Sequence, residues 1–159
     1  LRSGGRPVIL QIFERMRKEF QPVVTNTALA LMTLSVHGLT STEMEDLLSI
    51  DSEVLEEVFE YSRPNIERIP VHVWLRLRNH IGGLTVERAE GCLKWYHRQL
   101  SETAEHCFST LDGGKYARRA YLLLSRYFSD TVSDAYVQDR KITQQKLLLI
   151  NIMEYQNLI

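Results

Sequence analysis

Cysteine is scarce in this sequence: Cys92 and Cys107 are the only two in 159 residues. Without a secretory signal pattern, two cysteines favour free thiols in a reducing compartment over a disulfide framework. No apolar run approaches the roughly 18 to 20 residues of a membrane span. The longest, Leu147 to Met153, is broken by Asn151. Neither charge sign is in excess, since 19 Lys and Arg meet 20 Asp and Glu for a net charge of −1. That balance removes any overall attraction to nucleic acid or membranes. A phosphate-cradling loop of the form G-x-x-x-x-G-K-[ST] is also missing. The only Gly-Lys pair is Gly114-Lys115, followed by Tyr116, with Ser109 where the first Gly should stand. Cys92, His97, His106 and Cys107 lack the paired spacing of a zinc site, so no metal is expected. The acidic residues form no calcium loop, and no Ser/His/Asp or Cys/His constellation is legible from spacing.

What remains is an ordinary globular composition, 44% hydrophobic and 25% charged. The length suits one domain, or two small ones sharing a core. Charge is unevenly placed along it. Ser41 to Glu60 holds eight acidic residues, from Glu43 to Glu60, and no Lys or Arg; Lys115 to Arg126 holds Lys115, Arg118, Arg119 and Arg126 and no acid. No internal repeat or low-complexity stretch is visible. The chain opens Leu1-Arg2-Ser3, with no initiator Met and no targeting pattern, as expected of a piece excised from a longer protein.

Helical periodicity dominates. Ile9, Ile12, Phe13, Met16 and Phe20 recur at helical spacing, with Arg15, Arg17, Lys18 and Glu19 outward, and Pro22 is expected to end that helix. Ala28 to Val36 is apolar nearly all round and predicts a buried helix stopped by Gly38. Thr40 and Glu43 form a capping box ahead of Met44, Leu47 and Leu48, and Asp51 caps a further acidic helix with Val54, Leu55, Val58 and Phe59 inward. After a loop bracketed by Pro64 and Pro70, Val71 to His80 reads as a helix with Val73, Trp74, Leu77 and Ile81 on one side. The two tryptophans, Trp74 and Trp95, read as core anchors. One hairpin is predicted, Leu84–Arg88 against Cys92–Trp95. Helices follow from His97 to about Phe108, from Lys115 to Phe128, and from Ile142 to Ile159. Three helices followed by a two-stranded wing is the winged-helix order, and a wing must pack on its helices because a lone hairpin is marginal in water. The fold class expected is therefore mainly α. Residues 1–111 form a winged-helix domain with an N-terminal helix, and 112–159 begin an all-helical extension.

Four stretches, in order, resemble the region after the nucleotide-binding module in NACHT and WD-repeat proteins, a group of signal-transduction ATPases with numerous domains. They are Ile12-Phe13-Glu14-Arg15-Met16; Gly38-Leu39-Thr40 through Ser49-Ile50-Asp51; Arg68-Ile69-Pro70 with Trp74 to Arg78; and Lys94-Trp95-Tyr96-His97-Arg98-Gln99. The resemblance implies a regulatory fragment of a nucleotide-switch ATPase. That fragment is itself no enzyme, holds an ADP-bound autoinhibited state, and relays opening to oligomerisation. It implies as partners the NACHT module and a C-terminal WD-repeat propeller of the same polypeptide, and a homo-oligomer on activation, with no nucleic acid and no membrane. It also implies a cytoplasmic location, and ADP or ATP bound through the NACHT module, with no cofactor in the isolated chain.

His97 is the residue whose role the resemblance carries over, as the histidine at a helix start that contacts the β-phosphate of ADP. Imidazole can donate to a phosphate oxygen, and a helix N-terminus favours negative charge. The plain alternative is a helix-start histidine bonded to a backbone carbonyl. Arg76, Arg78 and His80 lie where a DNA-binding winged helix carries its recognition helix, which leaves DNA binding as an alternative function. Solvated charge is the preferred reading there, because the neighbouring acidic helices would repel phosphate. A plain protein-interaction scaffold is the third reading.

Overall fold

A helix buried on every side organises the molecule. Helix α2 spans Pro22–Leu34, and Val24 through Met32 are all buried, polar Thr25, Asn26 and Thr27 included. The computed structural model describes residues 7–62, 64 and 68–130. The periodicity predicted a start at Ala28; the helix begins at Pro22 instead. Proline is at home in the first turn, where its missing N–H would have no partner and its φ is already helical. The next two donors are taken from outside the helix. Val23 and Val24 each donate a backbone N–H to the Glu57 carboxylate, at 3.0 and 2.8 Å. Pro22 thus ends one helix by opening the next. The β-branched run Val23–Val24–Thr25 has weak helix propensity, and tertiary burial overrides it. Likewise the helix stops at Leu34, short of the expected Val36.

Helix α1 (Val8–Glu19) buries Ile9, Phe13 and Met16 against α2, with Ile12 and Phe20 at the edge of the core. Helix α3 (Ser41–Ser49) opens on the predicted capping box: Glu43 N–H donates to Thr40 Oγ1 at 3.2 Å, and Thr40 N–H donates to Glu43 Oε2 at 2.8 Å. Helix α4 (Ser52–Val58) is capped by Asp51, whose Oδ1 accepts from the Glu53 and Val54 amides. Helix α5 (Val71–Ile81) buries Trp74, Leu77 and Ile81. Both tryptophans are core anchors with satisfied ring donors, Trp74 to Ser41 Oγ at 3.2 Å and Trp95 to Thr33 Oγ1 at 3.0 Å.

The wing is the antiparallel pair β1 (Thr85–Glu87) and β2 (Leu93–Trp95), in register Thr85↔Trp95, Val86↔Lys94 and Glu87↔Leu93. Its other side is not open. Leu39 pairs with Leu93 in a single antiparallel bridge, so β2 is the middle of a narrow three-part ribbon. Gly38, just before it, has φ +79, and a Cβ there would sit 2.5 Å from the Leu93 carbonyl oxygen. Only glycine fits.

Helix α6 (Arg98–Thr110) brings Phe108 onto Phe13, whose ring also meets Trp95; both pairs have centroids 5.6 Å apart. A short 3-10 turn, Leu111–Gly114, reverses the chain into α7 (Lys115–Asp130). Tyr116, Ala117, Ala120, Tyr121, Leu124 and Phe128 of α7 join the core made by α2. The architecture is the expected one, mainly α, with a winged helix and a helical extension. The helix predicted from Ile142 to Ile159 lies outside the described residues.

Candidate functional site

His97 sits at the junction of β2 and α6. It is the N-cap residue of α6: its backbone is extended (φ −108, ψ 143) and its carbonyl accepts from Leu100 and Ser101. Its imidazole does not cap the helix. The ring is exposed and stands edge-on to Tyr96, with centroids 4.4 Å apart; Tyr96 is itself 60% exposed. Local sequence explains the placement. Leu93 and Trp95 point into the core, Trp95 fixed by Thr33, and the strand ends as soon as the chain leaves that anchor.

A cleft of about 230 Å³ opens beside His97, between the wing, the N-terminus of α6 and the end of α2. Arg88, Lys94, His97, Arg98 and Ser101 line it with donors, Tyr96 borders it, and no carboxylate side chain lines it among the described residues. Arg98 is paired along its own helix with Glu102 at 2.6 Å. Lys94 is half-buried and donates to the carbonyl of Val36, just past the end of α2. Burial, with the positive charge of Arg88 beside it, holds the Lys94 ammonium below the usual lysine range. An ammonium so placed is short of negative charge. The donor set and the helix N-terminus together suit a phosphoryl or similar anion. The volume admits a phosphate end but falls short of the roughly 300 Å³ at which sites for whole small molecules begin.

Of the residues singled out from sequence, His97 reaches this cleft, and Trp95, read as a core anchor, forms part of its wall. Lys94 and Arg88 were missed, although Lys94 belongs to the same stretch as His97. The available signal was Gly38, whose bare backbone lets the lysine stem lie against it; a Cβ there would sit 2.8 Å from Lys94 Cγ. The zinc candidates do not gather. Cys92 is buried in the hairpin itself, directly before β2, whereas His106 and Cys107 line a groove of about 760 Å³ between α1 and α6. Among the described residues no group of His, Cys, Asp or Glu is arranged to hold a metal ion, and no helix is long and apolar enough to cross a membrane.

Three basic residues of α5, Arg76, Arg78 and His80, make contacts within the molecule. Arg78 donates to Ser41 Oγ at 3.1 Å and to Glu87 Oε2 at 2.9 Å. Arg76 lies over the Phe20 ring, 5.2 Å from its centroid, and His80 Nε2 stands 3.5 Å from Glu19. The two charge blocks seen in the sequence meet across the fold. Arg119 of α7 pairs with Asp51 and Glu53, and Lys115 reaches Glu53 at 3.1 Å.

A family model described as NWD1-like, winged helix-turn-helix domain matches residues 7–111. Against NACHT domain- and WD repeat-containing protein 1 of Mus musculus the chain is 33% identical over 125 residues, which is 75% of this chain and 8% of that protein. The Homo sapiens protein of the same name is 33% identical over 129 residues, 77% of this chain and 8% of that protein. NACHT and WD repeat domain-containing protein 2 of Mus musculus is 30% identical over 124 residues, 76% of this chain and 7% of that protein. The chain therefore spans about 8% of the length of the curated relatives it matches first. No solved structure matches it.

Proposed function

The chain belongs to the NWD1-like winged helix-turn-helix family, and from that membership we propose that it is the regulatory winged-helix piece of a NACHT-type signalling ATPase. In this reading it holds an ADP-bound, autoinhibited state of a longer cytoplasmic protein. It moves away when ATP replaces ADP, and oligomerisation follows from that opening. Its partners are a NACHT module and a WD-repeat propeller in the same polypeptide, the two parts that the relatives' names carry.

One observation carries the reading: the cationic cleft at His97. Its donors are an ammonium, two guanidinium groups, an imidazole and a hydroxyl, and they fit a phosphoryl group. Its small volume leaves the rest of a nucleotide to be bound elsewhere, as a switch shared between two modules requires. ADP, when bound, would supply the negative charge; His97 would donate a hydrogen bond to it from the start of α6, and Lys94 and Arg88 would lower the cost of bringing that charge in. DNA binding is the weaker alternative, because Arg78 is already bonded to Ser41 and Glu87 and the neighbouring helices are acidic.

The test is His97→Ala in the longer polypeptide. A hydrogen bond to a charged group is worth roughly 1.5 to 3 kcal/mol, so ADP should bind about 10- to 150-fold less tightly and the open state should gain by the same factor. The exposed ring contributes little to the fold, and the melting temperature of the 159-residue chain should be unchanged. An unaltered ADP affinity in a well-folded variant removes His97 from the switch.

A further inference from the structure

Resting on the reading of this cleft as a phosphate site, we propose that Lys94 is its second phosphate-binding residue. The Val36 carbonyl is the group that positions it, so that phosphate binding reaches the turn between α2 and α3.

The argument begins at Gly38. Because that residue has no Cβ, the Lys94 stem lies flush against the turn, and the ammonium arrives at Val36 O. A lysine ammonium carries three N–H donors, and the bond to Val36 uses one. Lys94 also lines the cleft with Arg88, His97 and Arg98, and the bond to Val36 leaves two of its donors for an anion that enters there. The neighbouring cation and partial burial leave this ammonium undercompensated, and an entering anion relieves both.

The strand holding Lys94 is tied on both edges. Thr85, Val86 and Glu87 pair with it on one side, and Leu39 bridges to Leu93 on the other. An anion bound to Lys94 therefore pulls on a rigid element. What can respond is the stretch from Ser35 to Gly38, ahead of that bridge, joined to the lysine by its head at Val36 and its stem at Gly38. This goes beyond a histidine contact: it makes the end of α2 part of the phosphate site.

Inorganic pyrophosphate is the probe, titrated into the isotope-labelled 159-residue chain with backbone amide shifts as the readout. Without the rest of a nucleotide site, affinity on the order of millimolar is expected. The amides of Tyr96 to Ser101 should move, and those of Val36 to Leu39 should move with them. In Lys94→Gln, which removes the charge and ends one bond short of the ammonium, affinity should fall by about tenfold or more and the Val36 to Leu39 response should vanish. Thermal melting of that variant should stay near that of the parent chain.

Pyrophosphate binding equal to the parent in a folded Lys94→Gln overturns the proposal. If His97→Ala then still weakens binding, the His97 reading survives alone. The reverse pattern, weakened by Lys94→Gln and untouched by His97→Ala, keeps Lys94 and removes the histidine. No shifts in the parent chain at tens of millimolar pyrophosphate also overturn it, leaving His97 to be judged by ADP in the longer polypeptide.

Discussion

Of Gly38, Gly82, Gly83, Gly91 and Gly113, Gly38 leaves the least room for a side chain. Its φ of +79 is unfavourable for a side chain, and an added methyl group would meet the backbone oxygen of Leu93 at 2.5 Å. The left-handed conformation alone costs an alanine roughly 1 to 2 kcal/mol, and the clash adds to it. Gly38→Ala should therefore lower stability by about 2 kcal/mol or more, measured by urea denaturation. A loss under about 0.5 kcal/mol would mean that the turn relaxes freely. Residues of this kind divide by how far away their partners are. Thr40 and Glu43 were readable because the capping box closes over three residues, and Asp51 because its acceptor serves amides two and three residues on. Lys94 was not, since its partner Val36 is 58 residues away. Glu57 looked like one more solvated acid, yet it caps α2 from the neighbouring helix. Charge type is written in the sequence; the distant group that completes it is not.

Among the elements, α7 is the one held by both apolar and ionic means. Its inner face joins the α2 core, and Arg119 reaches across to Asp51 and Glu53 at the start of α4. Asp51 is 3% exposed, so removing the guanidinium leaves a buried carboxylate with only its capping amides. Breaking a buried pair from one side costs about 3 to 5 kcal/mol. Arg119→Met should fall near the lower end, because those amides still compensate Asp51. Lys115→Ala, at a side chain 48% exposed, should cost no more than about 1 kcal/mol. Equal effects from the two substitutions would contradict this account. The hydrogen bond from Lys115 holds the Glu53 carboxyl below its ordinary value of 4.5; the charge of Arg119 assists and desolvation opposes. A depressed carboxyl stabilises the fold above its unfolded value and loses that contribution as pH falls through the folded one. Stability should therefore decline below about pH 4.5, more shallowly in Glu53→Gln, as denaturation midpoints across pH 2.5 to 6 would record. The sequence displayed both charge blocks. That they face each other depends on the reversal at Leu111–Gly114, where Asp112 and Gly113 adopt positive φ.

At the scale of the whole molecule, the acidic helices and the engaged arginines of α5 argue against tight DNA binding. Affinity should be no better than about 10⁻⁴ to 10⁻⁶ M at physiological salt, the range of non-specific contacts. A sequence-dependent nanomolar complex in a gel-shift or anisotropy assay would overturn this and require Arg78 to leave Ser41 and Glu87. The order of helices and wing was legible because each amphipathic stretch carries its own period and stop signals. The reach of α2 and the third member of the ribbon were not, since the β-branched and polar run Val23–Thr27 carries little helix propensity ahead of the apolar stretch, and Leu39 is a single residue. That same helix has a consequence in time. Shielded by α1, α3, α4, α6, α7 and β2, the amides of Ala28 to Met32 have no local route to solvent. Their hydrogen exchange must wait for the molecule to open as a whole, so their protection factors should report the global free energy of unfolding. Amides at the exposed start of α6 should exchange sooner, by local opening, and the gap between the two rates separates loosening at the cleft beside His97 from loss of the fold.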